Sequence, residues 1–275
     1  MAQNVAQHNW RNPNLSRKSY LTHSDGRTMT QHPAYNTHGT DRSSRWLITA
    51  DHASNTVPDW VNGGDLGISD ADMNRHIAYD VGSLGLARHL ADALAAPMIA
   101  SDFSRLVIDP NRGEDDPTLV MRLYDGTIIP ANRHVDEAET EHRLSRLYRP
   151  YHGALADLAG QRDDTVICAI HSFTPCLKGR QPRPWEIGVL HSHQDSRLAV
   201  PLIEGLRDEG YCVGDNEPYS GHLPGDSIDR HALVPGRLNV LIELRNDLIG
   251  TDAEQALWAN RLVAVLERVL ASLPA

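Results

Sequence analysis

The 275-residue chain has few cysteines and no long apolar run. Three cysteines spread over the second half of the chain (Cys168, Cys176 and Cys212) do not make the paired framework of a small secreted protein. A membrane-spanning helix needs roughly 18 to 20 consecutive apolar residues, and no segment approaches that length. The first thirty residues also lack the apolar segment of a secretory signal. We therefore expect a cytoplasmic protein that is not associated with a membrane.

Positive charge is also scarce. The chain has 26 Lys and Arg against 36 Asp and Glu, so its formal net charge is −10 with the 15 histidines neutral. A general nucleic-acid-binding protein would show a basic surface, and we expect no nucleic-acid partner. If the protein binds a small anion, it must do so with a local group of arginines. The sequence carries no indication of an oligomeric state.

The composition changes near residue 45. Residues 1–44 are rich in Asn, Gln, His, Ser and Thr and show no helical or strand periodicity, so they predict a mobile polar extension. Residues 45–275 alternate short β-branched runs with helical patterns and contain neither a linker nor an internal repeat. Strands that alternate with helices indicate βαβ units. The prediction is a single α/β domain with a mixed, mainly parallel sheet flanked by helices.

The predicted elements are short runs and longer amphipathic segments. The candidate strands are Trp46–Ala50, Leu106–Ile108, Thr165–Ile170, Ile187–Leu190, Tyr211–Gly214 and Asn239–Leu244. The candidate helices are Asp70–Ala95 with a break, Asp136–Ala159, Ser196–Glu209 and Asp252–Leu273. Thr251 and Glu254 have the T-x-x-E spacing of a capping box at the start of the last helix. Its core-facing stripe is predicted to be Leu257, Leu262, Val265, Leu266 and Val269.

Polar residues follow several of the predicted strands. Ligands of open α/β sheets bind beyond the carboxyl ends of the strands, so His52, His171 and Glu243 are expected to meet at one edge. Two histidines and a carboxylate suit a catalytic zinc ion, which takes three protein ligands and keeps one position for water. His52 and His171 are the predicted nitrogen ligands. For the third ligand we prefer Asp80 to Asn55, because a neutral amide is a poor zinc ligand.

Glu243 interrupts the apolar run Val240–Leu244, where a carboxylate is unfavourable unless it is paired or functional. Apolar surroundings should raise the pKa of Glu243 toward that of a useful general base. A buried ion pair with Arg245, two residues further along the same strand, is the structural alternative.

Arginines near the predicted strand ends suit an anionic substrate. Asn111 and Arg112 offer an amide and a planar guanidinium that match a carboxylate, and Arg105 is close enough in sequence to reinforce them. Arg230 and His231 are candidate oxyanion donors. An exposed Arg-His pair in a loop would be the alternative interpretation of these two residues.

A set of motifs in one order resembles the N-formylglutamate amidohydrolase family. They are D-H-A-S-N at 51–55, R-H-I-A-Y-D at 75–80, S-R-L-V-I-D-P-N-R at 104–112, H-S-F-T-P at 171–175, R-P-W-E-I-G-V-L at 183–190, D-N-E-P-Y at 215–219 and I-E-L-R-N-D-L-I at 242–249. The resemblance implies a fold related to the zinc carboxypeptidases and aspartoacylase. Those relatives bind zinc through H-x-x-E and a later His, hold a substrate carboxylate with an Asn-Arg pair, and use a Glu as base.

Transferred to this chain, the resemblance implies that His52 and His171 bind zinc, that Asn111 and Arg112 hold the carboxylate, and that Glu243 is the base. The chain departs from the pattern at Asn55, where the relatives have the acidic third ligand. Either Asp80 replaces that ligand or zinc is held by two histidines and weaker ligands. The family's best-known reaction converts N-formyl-L-glutamate to formate and L-glutamate in histidine degradation.

The expected function is therefore metal-dependent hydrolysis of a small N-acyl acidic amino acid. Two alternatives stay open. The enzyme could act on another N-acyl or N-formimino amino acid, or the chain could be a histidine-rich metal-binding protein without turnover. The second alternative would involve the four histidines of the extension, His8, His23, His32 and His38.

Overall fold

The structure is a computed structural model that describes residues 32–274. Its strands are β1 (Tyr35–His38), β2 (Trp46–Ala50), β3 (Met98–Ser101), β4 (Leu123–Tyr124), β5 (Thr127–Ile128), β6 (Val166–Phe173), β7 (Ile187–Leu190), β8 (Val213–Asp215) and β9 (Asn239–Arg245). Its α-helices are α1 (Asp70–Met73), α2 (Ser83–Ala93), α3 (Glu137–Arg143), α4 (Arg149–Ala159), α5 (Ala199–Asp208) and α6 (Asp252–Ser272). A π-helical turn, Leu144–Tyr148, joins α3 to α4.

The main sheet has the order β1-β3-β2-β6-β9-β7-β8. The pairs β1–β3 and β7–β9 are antiparallel and the other four are parallel, which confirms the predicted mixed, mainly parallel sheet. Strands β2, β6 and β9 lie side by side and parallel at the centre of the sheet. Their carboxyl ends therefore share one edge, which is where the predicted site lies.

Side chains alternate along the central strands and so build two apolar layers. On β2, Trp46, Ile48 and Ala50 face the core that contains α2, α5 and α6, whereas Leu47 faces the core that contains α4. Helices cover both faces, because parallel strands buried on two sides need apolar partners on each. Within the described residues, no helix has the length and apolar character of a bilayer-spanning segment.

Most predicted elements are present with shifted ends. The predicted strands at Trp46–Ala50 and Ile187–Leu190 are confirmed residue for residue. The helix predicted over 70–95 is broken, as expected, between α1 and α2. In α6 the capping box is present, but Leu257 is exposed and Trp258 takes the buried place in the stripe.

The strand predicted at Leu106–Ile108 is wrong. All three residues are buried, but they lie in a turn. Side chains bind their main-chain carbonyls instead of a neighbouring strand: Asn132 donates to Leu106 O at 2.7 Å and Arg143 donates to Val107 O at 2.8 Å. A short apolar run indicates burial but does not by itself distinguish a strand from a buried turn.

The sheet begins before the predicted domain start at residue 45. Strand β1 pairs with β3, and neither was among the predicted strands. In β1 the sequence has no apolar run, because this edge strand is half-exposed and has polar residues at Asn36 and Thr37. The prediction of an extension is wrong for residues 35–38. Residues 1–31, which include His8 and His23, lie outside the described part of the chain. From Ala34 onward the described residues form one compact unit.

Candidate metal centre and substrate cavity

His52, Asp80 and His171 come together at the carboxyl edge of the central strands. His52 follows β2, His171 lies in β6, and Asp80 is held beside them because its backbone N–H donates to His52 O at 2.9 Å. One ligand atom from each residue lies within 4.8 Å of the others, and all three residues are buried. Oδ2 of Asp80 is 2.9 Å from Nδ1 of His171 and 3.4 Å from Nδ1 of His52.

A carboxylate lies on the far side of each histidine from the shared Asp80. Nε2 of His52 lies 2.7 Å from Oδ1 of Asp109, and Nε2 of His171 lies 3.6 Å from Oδ2 of Asp51. Because an ionised carboxylate only accepts hydrogen bonds, Asp109 places the proton of a neutral His52 on Nε2, and Nδ1 keeps its lone pair. In His171 the hydrogen-bonded nitrogen is Nδ1, which faces Asp80. Nδ1 of His52 and Nε2 of His171 are buried without a hydrogen-bond partner, so each ring keeps a nitrogen that no protein group occupies.

The donor set fits a divalent metal ion. Two imidazole nitrogens and one carboxylate oxygen form the ligand set of a catalytic zinc site with an open position, and carboxylates commonly support such histidines. The charges agree with this interpretation. Three buried aspartates, Asp51, Asp80 and Asp109, surround the histidines, and Arg105 is the cation paired with two of them. When both histidines are neutral, as metal ligands are, the excess of two negative charges is what a divalent cation would balance.

The pKa shifts reflect the same excess of negative charge. Burial alone would raise the pKa of Asp80, but the histidines, His52 first, hold it well below its usual range. Burial disfavours a charged His171, yet hydrogen bonds with Asp51 and Asp80 raise its pKa well above the usual value. Tyr151 donates its hydroxyl to Asp51, which fixes that carboxylate. The cluster thus attracts positive charge strongly.

A cavity of about 300 Å³ opens beside this group. A volume near 300 Å³ is at the small end of ligand pockets, which suits a metabolite-sized molecule. His52, Asp80 and His171 line it together with Glu243, Asn111 and Arg112. Tyr124, Tyr219, Leu223 and Asp226 line other parts of its wall.

Glu243 lies directly across from His171 in the β6–β9 pair. Its side chain is only 6% exposed, and Oε2 has no hydrogen-bond partner. Burial raises the pKa of Glu243 to about 7. Arg245, the structural partner considered from the sequence, instead pairs with Asp247, so the alternative of a buried Glu243–Arg245 ion pair is wrong.

The turn after Ile108 presents Asn111 and Arg112 to the cavity. Oδ1 of Asn111 accepts a hydrogen bond from the backbone N–H of Ser227 at 3.2 Å, which orients the side-chain amide. The Arg112 guanidinium donates to Asn111 O at 2.7 Å and to Thr118 Oγ1 at 3.2 Å. Within residues 32–274, Arg112 forms no salt bridge. No carboxylate of the described residues therefore lies within salt-bridge distance of its guanidinium.

Arg105 lines the cavity as well, but its guanidinium is paired. Nη2 donates to Asp109 at 2.9 Å, and Nη1 lies 3.5 Å from Asp80. It therefore balances the charges around the histidines, and its predicted contact with substrate stays a prediction. Asn55, the other candidate for third ligand, donates to Met73 O at 2.9 Å and lines a different surface cavity. The structure thus brings Asp80, and not Asn55, to the histidines.

Arg230 and His231 do not line this cavity. Both lie in the π-helical turn Asp229–Leu233, which directs His231 inward onto His152, 2.8 Å from ring nitrogen to ring nitrogen. Arg230 donates to the Tyr148 hydroxyl at 3.0 Å and lies 3.7 Å from Glu114. The expectation that they act as oxyanion donors is therefore not supported by their position, and we assign neither a catalytic role.

The sequence analysis gave no role to Asp51, Asp109 or Asp226. The first two are neighbours of predicted site residues, Asp51 of His52 and Asp109 of the Asn111-Arg112 pair. An acid next to a candidate ligand is a usable signal for a supporting carboxylate. Asp226 lies in a loop and is not adjacent to any predicted site residue, so no spacing marked it.

Comparisons with known proteins show the family of the chain. A family model described as N-formylglutamate amidohydrolase matches residues 44–250. The N-formylglutamate deformylase of Pseudomonas putida is 25% identical over 212 residues, which cover 70% of this chain and 75% of that protein. The solved structure of a gene product from Agrobacterium tumefaciens is 36% identical, with a TM-score of 0.83 over 88% of this chain and 96% of that one. The N-formylglutamate amidohydrolase of Ralstonia eutropha, 21% identical, has a TM-score of 0.58 over 86% and 97% of the two chains and shows a shared fold.

Proposed function

Because this chain belongs to the N-formylglutamate amidohydrolase family, and is thus a hydrolase of linear amides, we propose that it hydrolyses a small N-acyl acidic amino acid with a zinc ion. The proposed substrate is N-formyl-L-glutamate and the products are formate and L-glutamate. The observation that carries the proposal is the convergence of three buried ligand atoms on a cavity that also contains Glu243 and Arg112.

His52, Asp80 and His171 would hold the ion. Zinc, when bound in such a site, polarises a carbonyl oxygen and makes a water molecule more acidic. Asp109 accepts from Nε2 of His52 and would keep Nδ1 of that ring directed toward the ion, and Asp51, 3.6 Å from Nε2 of His171, would help to orient the second ring. Replacing either carboxylate would weaken the orientation of a ligand without removing it.

Arg112 and Asn111 would bind a carboxylate of the substrate. A guanidinium without a salt-bridge partner among the described residues and an amide of fixed orientation match the two oxygens of a carboxylate. This local positive group answers the requirement set by the net charge of −10, because the rest of the protein repels an anion. The substrate's amide is thereby placed toward the histidine cluster.

Glu243 would move the proton. Its carboxylate accepts a proton from the attacking water and delivers it to the leaving nitrogen, and its surroundings hold it buried with one oxygen unpartnered. The β6–β9 register, which pairs Glu243 with His171, supports this role. The two steps need one group that alternates between base and acid.

The test measures formate release from N-formyl-L-glutamate together with zinc content. We expect about one zinc per chain and turnover that falls on the order of 10²- to 10⁴-fold in Glu243→Gln, because the amide cannot take the proton. Zinc content should stay unchanged in that variant. Glu209→Gln, an exposed glutamate paired with Arg268, is the control and should keep full turnover.

Undiminished turnover in Glu243→Gln would contradict the assigned base. N-acetyl and N-formimino analogues tested in parallel separate the formyl substrate from other acyl groups. Several zinc ions per chain without formate release would favour the metal-binding protein over the enzyme.

A further inference from the structure

Asp226 is a carboxylate in the same cavity for which the mechanism above has no task. It lies in the loop between β8 and the Asp229–Leu233 turn, lines the cavity, and is 4% exposed. A buried carboxylate in a ligand cavity is unfavourable unless it is paired or binds something. Among residues 32–274, Asp226 forms no salt bridge.

The loop of Asp226 is pressed against the turn that carries the carboxylate-binding pair. A Cβ on Gly225, whose φ is +78°, would lie 2.9 Å from the Cα of Gly113, so the two backbones approach as closely as glycines allow. Ser227, which follows Asp226, donates its backbone N–H to Oδ1 of Asn111 and its hydroxyl to Pro110 O. These contacts set Asp226 beside Asn111 and Arg112 in the cavity wall.

One oxygen of Asp226 has a structural partner. Oδ1 accepts a hydrogen bond of 2.7 Å from the backbone N–H of Asp229, as a capping side chain does at the start of a helical turn. An asparagine would make this bond equally well, since Asn and Asp cap similarly. The cap therefore explains an oxygen at this position but not a negative charge.

The charge at Asp226 is retained at neutral pH. Burial raises the pKa of Asp226 to about 6, opposed by the hydrogen bond from the Asp229 N–H and, less strongly, by Arg112, while the charges of Asp51 and Asp229 add to the rise. A negative group beside Arg112 would weaken the binding of a simple dicarboxylate. It would strengthen the binding of a ligand that carries a positive or N–H donor group next to its carboxylate.

An α-amino acid has this combination of groups, because its α-carbon carries both a carboxylate and a nitrogen. We infer that Asp226 is a specificity-determining residue that accepts the N–H of the substrate's α-nitrogen, while Arg112 and Asn111 hold the adjacent α-carboxylate. After the amide is cleaved, the same carboxylate faces the ammonium group of the product amino acid. The inference rests on the proposed function and narrows it to N-acyl α-amino acids bound through both groups on the α-carbon.

The experiment compares two ligands that differ in the nitrogen alone. Calorimetry on the zinc-loaded full chain gives the dissociation constants of L-glutamate and of glutarate, the dicarboxylate that lacks the amino group, at pH 7.5. For the unmodified protein we expect L-glutamate to bind about 10- to 100-fold more tightly than glutarate, the range of a hydrogen bond between charged groups. In Asp226→Asn this preference should fall below about threefold, with the dissociation constant of glutarate unchanged or lowered.

Asp229→Asn is the matched control. It removes one negative charge from the same loop but keeps the acceptor for the backbone N–H of Gly225, which lies 2.7 Å from Oδ2 of Asp229. It should keep the preference for L-glutamate. If Asp226→Asn does not fold, Asp226→Ser keeps a capping oxygen without the charge and is read in the same way.

The inference would be overturned if Asp226→Asn kept the same preference for L-glutamate as the unmodified protein, or if it bound L-glutamate and glutarate more weakly by the same factor. The readout is independent of turnover. If the unmodified protein does not hydrolyse N-formyl-L-glutamate but Asp226→Asn loses the preference for L-glutamate, the proposed reaction is wrong and the role of Asp226 is supported. If the unmodified protein hydrolyses N-formyl-L-glutamate and Asp226→Asn keeps the preference, the reaction is supported and the role of Asp226 is wrong.

Discussion

At the scale of single residues, two carboxylates flank the histidines without belonging to the His52–Asp80–His171 group. Asp109 lies 2.7 Å from Nε2 of His52 and so favours a proton on that nitrogen, and Asp51 lies 3.6 Å from Nε2 of His171. If the group holds zinc as proposed, these carboxylates would affect the orientation and basicity of the ligands, a contribution often worth a factor of 10 to 100 in metal affinity. The residues that would bind the ion are thus distinct from the residues that would orient them.

Asp109→Asn is expected to lower zinc affinity about 10- to 100-fold, because the amide cannot accept the His52 N–H as strongly and frees the ring to rotate. Competition with a chromogenic chelator measures the affinity. Asp92→Asn is the control, since Asp92 also bonds a histidine, His38, at 2.7 Å, but on the surface. Equal zinc affinities of Asp109→Asn and the unmodified protein would contradict the supporting role of Asp109.

A single residue of the cavity could be predicted from the sequence where a charged group interrupts an apolar run. Glu243 stood out because its carboxylate interrupts an apolar strand, and it does line the cavity. Arg230 and His231 were also predicted as site residues, but they lie in a turn and do not line the cavity. A loop residue shows no such conflict, because its side-chain direction depends on dihedral angles that the sequence pattern does not reveal.

At the scale of elements, three parallel strands determine the position of the site. The register of β2, β6 and β9 brings His52, His171 and Glu243 to one edge, although they are far apart along the chain. The other wall comes from irregular segments, the 104–112 turn and the 216–227 loop. Periodicity predicts the strands well and these segments poorly, since their hydrogen bonds go to side chains such as Asn132 and Arg143.

The start of α6 offers a test at this scale. Thr251 Oγ1 accepts from the Glu254 N–H at 3.3 Å, and Glu254 accepts from the Thr251 N–H at 2.9 Å. Thr251→Ala should lower the free energy of unfolding by about 1 kcal/mol, because the Glu254 N–H loses its acceptor and the Glu254 side chain loses its bond with the Thr251 hydroxyl. Urea denaturation measures this change. Thr251→Ser keeps the hydroxyl and should stay within about 0.5 kcal/mol, so an equal loss in both variants would argue against the capping box.

At the scale of the whole molecule, buried titratable groups link the site to stability. His152 and His231 stack with their rings 5.1 Å apart beneath the Pro110–Arg112 turn, and His152 Nε2 lies 2.9 Å from Pro110 O. Burial lowers the pKa of His152 to about 4. Burial, and then the neighbouring His152, lowers the pKa of His231 to about 3. Both rings are therefore neutral in the folded protein at physiological pH.

The sign of the pH effect follows from these shifts. Above pH 6.5 neither the folded nor the unfolded chain protonates these histidines, so they contribute no pH dependence. As the pH falls from 6.5 toward 4, the unfolded chain takes up protons that the folded chain refuses, and the free energy of unfolding decreases. The slope is at most about 1.4 kcal/mol per pH unit for each histidine.

His231→Gln should reduce this slope between pH 6.5 and 4, as measured by urea denaturation of chelator-treated protein at several pH values. His134→Gln, a change at an exposed histidine, is the control and should leave the slope unaltered. The readout is the slope and not the level of stability, so a variant that is merely less stable does not mimic the effect. An unchanged slope in His231→Gln would contradict the assigned neutral pair.

The amino-acid order alone was enough for the α/β class and the central strands, which follow from periodicity, and for the family resemblance, which follows from motifs in one order. It also predicted, from polar groups at strand ends, that His52, His171 and Glu243 meet at one edge, and it favoured Asp80 over Asn55 beside them. The contact of Asp80 with both histidines, the two carboxylates behind the histidines and the place of Asp226 were decided by three-dimensional packing. They depend on contacts between segments that are distant in the chain, and no local pattern records which side chains such contacts bring together.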